Sequence, residues 1–597
     1  MTEDMGQGAG AGDGWSSARG PQTTNGHKDH GVAAGATATP GTANGTTSHA
    51  STGFQMLNQW HSQPRNIRII HIGAGATGIC AAYKMERQLE HYDLICYEKN
   101  EEIGGTWLEN RYPGCACDVY TFEPNPKWKN YYAYSPEIHD YFVNFCDKYN
   151  LRKYIKLKHR VVGAVWHEDQ VKIEHNGQTI TDWCHVLING SGIINCWKWP
   201  KIDGLHSFEG DLIHSAYWDG ACDWSGKRVA VLGNGSSAIQ IVPQIQESPT
   251  FIAPPMERVP VDVPEELRKA DMPQSVIDPF VMQKAYTDSE IKILSNDPDY
   301  LLLYRKKIEY SINVNFGIFY KDTEASKMAG WYMRENMKTR IKGHPVLTEK
   351  LIPQWAVGCR RLTPGDNYIE ALIQPNVNFT FSSIQSVDET GIVTADGKHH
   401  EVDMIVCATG FDMAWTPHFK LEGRDGVDIE DLWSPVPNCY LGIAAPKFPN
   451  YFIINGPRGA LGNGTVLPCL ETQLDYAIAA VKKMQSDRIN TLDVKEDVAA
   501  HLNEYIDAWC ETSVFSEPCR SWYKMNTTDG KPMVWGGSSV HYLKTIKTPR
   551  WEHYNITYMD NNPWSFLGNG RTKADLEGDF DGLTTYLRNA DTPWQIV

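Results

Sequence analysis

The clearest chemistry in this chain lies in two glycine clusters. Gly73-Ala74-Gly75-Ala76-Thr77-Gly78 spells GxGxxG, directly after the apolar run Ile67-Arg68-Ile69-Ile70-His71-Ile72 and ahead of a helical stretch from Ile79 to about Glu90. The first glycine permits a tight turn and the second lets a pyrophosphate approach the backbone. The third lets helix and strand pack closely, and the helix N-terminus then faces the phosphate charge. Glu98 closes the next apolar run, Leu94-Ile95-Cys96-Tyr97, twenty residues after Gly78 (98 − 78). A carboxylate there accepts hydrogen bonds from both ribose hydroxyls and repels a 2'-phosphate. This loop is therefore expected to take FAD or NAD(H), and not NADP(H).

Gly233-Asn234-Gly235-Ser236-Ser237-Ala238 is the GxGxxA variant. It follows Arg228-Val229-Ala230-Val231-Leu232 and leads through Ile239 and Gln240 into a helix expected to end near Ile245. Its next strand, near Thr250-Phe251-Ile252, is closed by Ala253-Pro254-Pro255 and by no acid, so nothing there repels NADP(H). A 2'-phosphate still needs a cation, and Arg258 and Arg360 are the candidates.

Positioning these loops takes strand, glycine turn, helix and strand in succession, which is one βαβ unit, and the chain encodes it twice. The expected fold class is α/β, with two dinucleotide-binding, Rossmann-like domains and a helical insertion in the second. Residues 1–52, rich in Gly, Ala, Thr and Ser, form an expected disordered tail. The first domain is expected over 53–195. The second spans 196–365, with the insertion at about 264–349, around Tyr300-Leu301-Leu302-Leu303-Tyr304. Residues 366–597 are expected to return to the first domain, with Ala408-Thr409-Gly410 ending a strand and aromatic loops surrounding a pocket.

Bulk properties exclude other classes. The net charge of -16 argues against a nucleic-acid partner, which needs a clustered basic surface. Fourteen scattered cysteines, none in CxxC, suit neither a disulfide scaffold nor a metal site, so free thiols in a reducing compartment are expected. Glu3 and Asp4 with no apolar core at the N-terminus, no bilayer-length apolar run, and the ending Trp594-Gln595-Ile596-Val597 make cytoplasm the expected location, with no membrane anchor.

Between the glycine loops stands Phe208-Glu209-Gly210-Asp211-Leu212-Ile213-His214-Ser215-Ala216-Tyr217-Trp218-Asp219. With Phe208, Gly210, His214 and Trp218 in place, it resembles the FxGxxxHxxxW(P/D) fingerprint of Baeyer-Villiger monooxygenases. Gly104-Gly105-Thr106-Trp107, then Asn110-Arg111-Tyr112-Pro113-Gly114 and Cys117-Asp118, resemble that family's flavin-flanking segment. Gly358-Cys359-Arg360-Arg361-Leu362-Thr363-Pro364 is similar to the segment carrying its active-site arginine, and Thr548–Glu552 and Leu567–Gly570 resemble fungal members. The resemblance runs from about Arg65 to Gly570.

It implies two cofactors, FAD and NADPH, with O2 as co-substrate. The reduced flavin forms a peroxide that attacks a ketone carbonyl, and the adduct rearranges to an ester or lactone. By motif position Arg361 is the catalytic cation, suited because a guanidinium stays charged and offers a planar fork of donors, and Asp118 is its carboxylate partner. Gly105, Thr106, Trp107, Leu108, Glu109, Asp118, Val119 and Tyr120 join the first glycine loop as FAD contacts. Ala116, Cys117 and Arg360 fall to NADP. His214 is implied to be structural, in a linker, in preference to acting as a general base.

Two departures stand out. Ala253 occupies a place where members commonly carry Arg, and Asp118-Val119 runs through Tyr120-Thr121-Phe122 to Glu123-Pro124 with several fewer residues than fungal members have. The alternatives are a flavin-containing N- or S-monooxygenase and a catalytically impaired FAD/NADP-binding flavoprotein. A disulfide reductase would need a redox-active cysteine pair. The expected partners are a small ketone and O2.

Overall fold

A computed structural model of the chain describes residues 54–118, 122–166, 170–246, 283–363, 365–413, 415–459 and 462–595. The tail at 1–52, Val119 and Tyr120, the Thr250–Ala253 strand end, Arg258 and the first part of the helical insertion lie outside the described residues. Met56–Val597 is one compact unit.

Its centre is a five-stranded parallel sheet, in the order Tyr451–Ile453, Val186–Asn189, Ile67–Ile72, Tyr92–Tyr97, Ile155–Lys156. Ile67, Ile69 and Ile70 are fully buried because helices cover one face and a second layer covers the other, which is why the run is apolar on both sides. The helix after the first glycine loop, Ala76–Gln88, starts three residues before the sequence suggested. It turns Gly78, Ile79, Ala82 and Met85 inward. The long helix Val466–Ser486 packs beside it, in the same core.

The second sheet has three parallel strands, Asp211–His214, Met404–Cys407 and Val229–Leu232, in that order. Met404–Cys407, every residue of it fully buried, was expected to lie in the part of the chain that returns to the first domain. It is instead the middle strand of the second sheet. The antiparallel ribbon Ile384–Val387, Gly391–Thr394, His399–Glu401 goes with it, since Val387 and Ile392 share a core with Phe208 and Leu232. The return to the first fold begins later, where Lys420–Glu422 pairs with Arg160–Val165 and Tyr451–Ile453 pairs with Val186–Asn189.

Between Val229–Leu232 and Met404–Cys407 the described residues of the insertion form helices Asp288–Asn296, Pro298–Asn313, Glu324–Ile341 and Pro345–Lys350. Local chemistry sets their starts. Thr287 and Glu290 make a reciprocal capping box, and Asp297 caps the next helix with Pro298 at its first position. Glu309 of the insertion accepts a hydrogen bond from Thr465 at 2.5 Å, which ties the insertion to the start of the Val466–Ser486 helix.

Candidate active site

The first glycine loop is walled on every side. Gly73 has φ +93°, and a Cβ there would sit 2.9 Å from the Gly190 carbonyl oxygen. A Cβ on Gly78 would lie 2.2 Å from the Gly73 oxygen. Gly105 approaches Gly75 so closely that its Cβ would be 2.9 Å from the Gly75 Cα, and the Gly104 amide donates to the Ala74 carbonyl at 3.1 Å. Thr77 donates to the Gly190 carbonyl at 3.2 Å. Ala76 opens the helix. Such bare backbone suits a pyrophosphate, which needs N–H groups without intervening side chains.

Glu98 is 3 % exposed and accepts from the Ala74 amide at 2.7 Å and the Asn100 amide at 2.8 Å. Burial raises its pKa, and the two backbone donors work against that rise. One lone pair on each oxygen is engaged by a backbone amide, Ala74 in the loop and Asn100 beyond the strand, and the others remain for ribose hydroxyls. Below the loop, His71 is fully buried with its Nδ1 2.9 Å from the Gly73 oxygen, and burial lowers its pKa to about 4.

Thr106–Glu109 is a single helical turn after Gly105. Leu108 is buried, and Trp107 packs against the main core and accepts from Ser135 at 3.1 Å. Glu109 is held by Asn100 at 2.9 Å and Lys99 at 2.8 Å.

The second loop is open. Gly233, Asn234, Gly235 and Ser236 are exposed, Ser237, Ile239 and Gln240 are half-buried, and Ala238 is fully buried at the packing position. What matters is what its helix, Ser236–Ile245, touches. Gln240 donates to the Ala116 carbonyl at 2.9 Å and accepts from Tyr112 at 3.0 Å. A Cβ on Gly114 would sit 2.5 Å from the Gln240 oxygen. At its other flank Ser236 shares a 2.7 Å hydrogen bond with Thr363. One helix therefore braces the strand Ala116–Asp118 and the segment that begins at Arg361. Cys117 in that strand pairs with Ala133 and packs against the core.

Arg361 is exposed, and its guanidinium interacts with the phenol of Tyr523, which is fully buried. Arg360 donates to the Arg520 carbonyl at 2.7 Å and lies 4.8 Å over the Trp355 ring. Its pKa is lowered by burial and by the like charge of Arg520.

The four fingerprint residues serve packing and a turn. Phe208 fills the second sheet's core, and a Cβ on Gly210 would strike the Asp403 oxygen at 2.5 Å. Trp218 joins Tyr112, Cys115 and Ile241 in a cluster between the two folds. His214 is 1 % exposed and stacks on Trp197 at 4.4 Å. Its Nδ1 accepts from the Ala216 amide at 3.1 Å, which puts the proton on Nε2, 3.3 Å from the Thr409 hydroxyl. Burial lowers its pKa to about 4. Both nitrogens are committed, so this imidazole has no lone pair to offer as a general base.

Several residues at the site were not singled out from the sequence. Gly190 and Ser191 back the first loop, and Val186-Leu187-Ile188-Asn189 running into glycine carries the same signature as the strands before the two glycine loops. Tyr523 carries no local signal, nor do the pairings of Tyr112 with Gln240 and of Thr363 with Ser236, although those four residues lie in segments the sequence marks. The expectation of free thiols throughout is corrected. Cys359 and Cys519 form a disulfide across 160 residues, and a pair so far apart has no spacing motif.

Comparison with known proteins fits this geometry. An NAD(P)-binding Rossmann-like domain model matches residues 72–142. The FAD-binding monooxygenase stcW of Emericella nidulans is 38 % identical over 552 residues, spanning 89 % of this chain and 90 % of its own. A Baeyer-Villiger monooxygenase of Pseudomonas aeruginosa is 32 % identical over 83 % of this chain and 92 % of its own. This chain belongs to the Baeyer-Villiger monooxygenase family. The closed crystal structure of cyclohexanone monooxygenase superposes with a TM-score of 0.69 at 24 % identity, covering 83 % of this chain and all of that one, so the fold is shared too. Among the described residues of this family member, no helix is long and apolar enough to cross a membrane, and no cluster of three metal-ligating side chains occurs.

Proposed function

We propose that this family member holds FAD on the first glycine loop and NADPH on the second, and with O2 inserts an oxygen atom next to a ketone carbonyl to give an ester or lactone. The observation that carries the reading is the bracing by the Ser236–Ile245 helix, which reaches the Ala116 carbonyl, two residues before Asp118, through Gln240, and the Thr363 hydroxyl, two residues after Arg361, through Ser236. The second loop's helix is thereby tied to the segments that carry Asp118 and Arg361, which supports the reading.

The residues fit the flavin. Gly73, Gly75, Gly78 and Gly105 leave the backbone clear for its pyrophosphate, and Glu98 takes its ribose. When bound, FAD reduced by NADPH supplies the activation of O2 that no side chain here can supply. The chain's own contribution is charge and orientation. Arg361 stabilises negative charge on the oxygen being transferred, held in place by Tyr523; Asp118, whose side chain lies outside the described residues, is assigned as its carboxylate partner on motif position alone. Arg360, beside the like charge of Arg520, provides positive potential for a 2'-phosphate. His214 fixes the turn at Ala216 as a neutral imidazole. Trp415, Trp522, Met413 and Met533 form an apolar cluster near Tyr523, which favours a bulky, apolar ketone. The fungal relatives support a role in secondary metabolism.

The test is purification with flavin spectroscopy, followed by assays with NADPH or NADH and with a ketone or a thioether. Ester formation with NADPH supports the proposal, whereas oxidation of the thioether alone would favour an S-monooxygenase. Arg361→Ala is expected to keep its FAD and lose at least ~100-fold in ester formation. A fully active variant would remove the catalytic assignment.

A further inference from the structure

We propose that the Cys359–Cys519 disulfide and the Tyr523 phenol together form the strut that positions Arg361, an inference that rests on the role given to Arg361 above. Residues 355–363 contain neither helix nor strand, so no regular hydrogen-bond ladder fixes the arginine. Instead, this loop is fastened to the segment 517–524 at successive points. The Ala356 amide donates to the Glu517 carboxylate at 3.2 Å. Cys359 bonds to Cys519 with their Cα atoms 6.6 Å apart. Arg360 donates to the Arg520 carbonyl at 2.7 Å, and Arg361 meets Tyr523.

The anchoring segment is itself rigid. Tyr523 and Lys524 are buried, and Lys524 donates to the Glu517 and Thr528 carbonyls. The Met533 amide donates to the Tyr523 carbonyl at 2.7 Å. Both bonded cysteines are buried, at 0 % and 3 % exposure, and the other twelve cysteines are free thiols. The covalent link thus falls two residues from the arginine on one side and four from its phenol partner on the other. A displacement of about 1 Å in a group that stabilises transferred charge costs a large factor in rate, which is the reason to fix such a loop covalently.

The strut can be cut chemically. A small dithiol donates two electrons and two protons, the sulfur–sulfur bond becomes two thiols, and the reagent closes to its own cyclic disulfide. The same cut is made genetically by Cys359→Ser with Cys519→Ser, and the phenol alone is removed by Tyr523→Phe.

Each form, loaded with FAD, is compared with the parent by amide hydrogen exchange over residues 355–363 and by the fraction of NADPH electrons recovered in ester as against hydrogen peroxide. Exchange is expected to quicken by roughly tenfold or more in the double serine variant and in the dithiol-treated parent. Ester recovered per NADPH should fall about tenfold, with flavin content and the rate of flavin reduction at saturating NADPH unchanged. Tyr523→Phe should lower ester recovery with little change in exchange. Parent-like exchange and parent-like ester recovery would overturn the proposal, as would a parallel loss of flavin content and flavin reduction, which marks a general structural role. The exchange measurement needs no turnover. A parent that forms no ester from any ketone therefore counts against the oxygenation reading alone, while exchange still decides whether the strut holds the loop.

Discussion

The two glycine loops share a backbone plan and differ in their walls. Each first glycine has positive φ and is backed by a carbonyl near the end of the neighbouring strand, Gly190 behind Gly73 and Ala408 behind Gly233. Beyond that they diverge. The first loop is enclosed by Glu98, Gly104-Gly105 and Gly190, and its helix packs so tightly that Gly78 admits no Cβ. The second loop is exposed over four residues, has Ala238 at the equivalent packing position, and leaves Gly235 open space. A fold that binds dinucleotides is thus made retentive or exchangeable by what surrounds the loop. An enclosed loop suits a resident cofactor, and an open one suits a reductant that must leave after each turnover.

The most severe way to break this contrast is Gly78→Ala. With a Cβ 2.2 Å from a backbone oxygen, the loop must move, and the variant is expected to lose its flavin absorbance or fail to fold, a cost above about 4 kcal/mol. Retention of full FAD content after gel filtration would contradict the enclosed-loop account.

Lowering the pH probes both folds at once, because each carries a buried neutral histidine, His71 in the first and His214 in the second. Each has a folded pKa of about 4, below the ordinary value of 6.5. The unfolded chain therefore binds more protons between pH 6.5 and 4, and stability should fall as pH drops through that window, by on the order of 3 kcal/mol per histidine. Thermal midpoints should decline from pH 6.5 to 4.5, and less steeply in His214→Phe. A slope identical in that variant would mean that His214 is not held neutral.

Glu98→Gln sharpens the comparison further. The amide nitrogen must face one of the two backbone donors, and leaving a buried N–H without an acceptor costs about 1–3 kcal/mol. The expected result is weaker FAD binding at an unchanged KM for NADPH, measured by flavin release in denaturant-free dialysis.

At the mild end stands Gly235→Ala, whose Cβ meets nothing within 4 Å. Its stability should stay within about 0.5 kcal/mol of the parent and its FAD content should be unchanged, with any effect confined to the KM for NADPH. A drop in FAD content would show that the second loop is not the separate site described.

Both glycine loops and Glu98 were legible in the sequence because a dinucleotide turn is local. The spacing of glycines, the apolar run before them and the acid at the next strand end all sit within about thirty residues. The placement of Met404–Cys407 was not legible. A buried apolar strand reads the same in either sheet, and only its pairing with Asp211–His214 and Val229–Leu232 assigns it. Nor could the sequence show that Gln240 would reach Ala116, since a glutamine on a helix has no preferred partner until two folds are packed together.

The amino-acid order alone determined that two nucleotide turns exist and which of them carries an acid, whereas Arg361 was singled out only through the family resemblance. Tertiary structure alone decided that one helix reaches both Ala116 and Thr363, that Cys359 finds Cys519, and that His214 spends both nitrogens on its own turn and on Thr409. Turns and caps are set by residues within reach along the chain, whereas contacts across a hundred residues or more are fixed only when whole layers bury their apolar faces together.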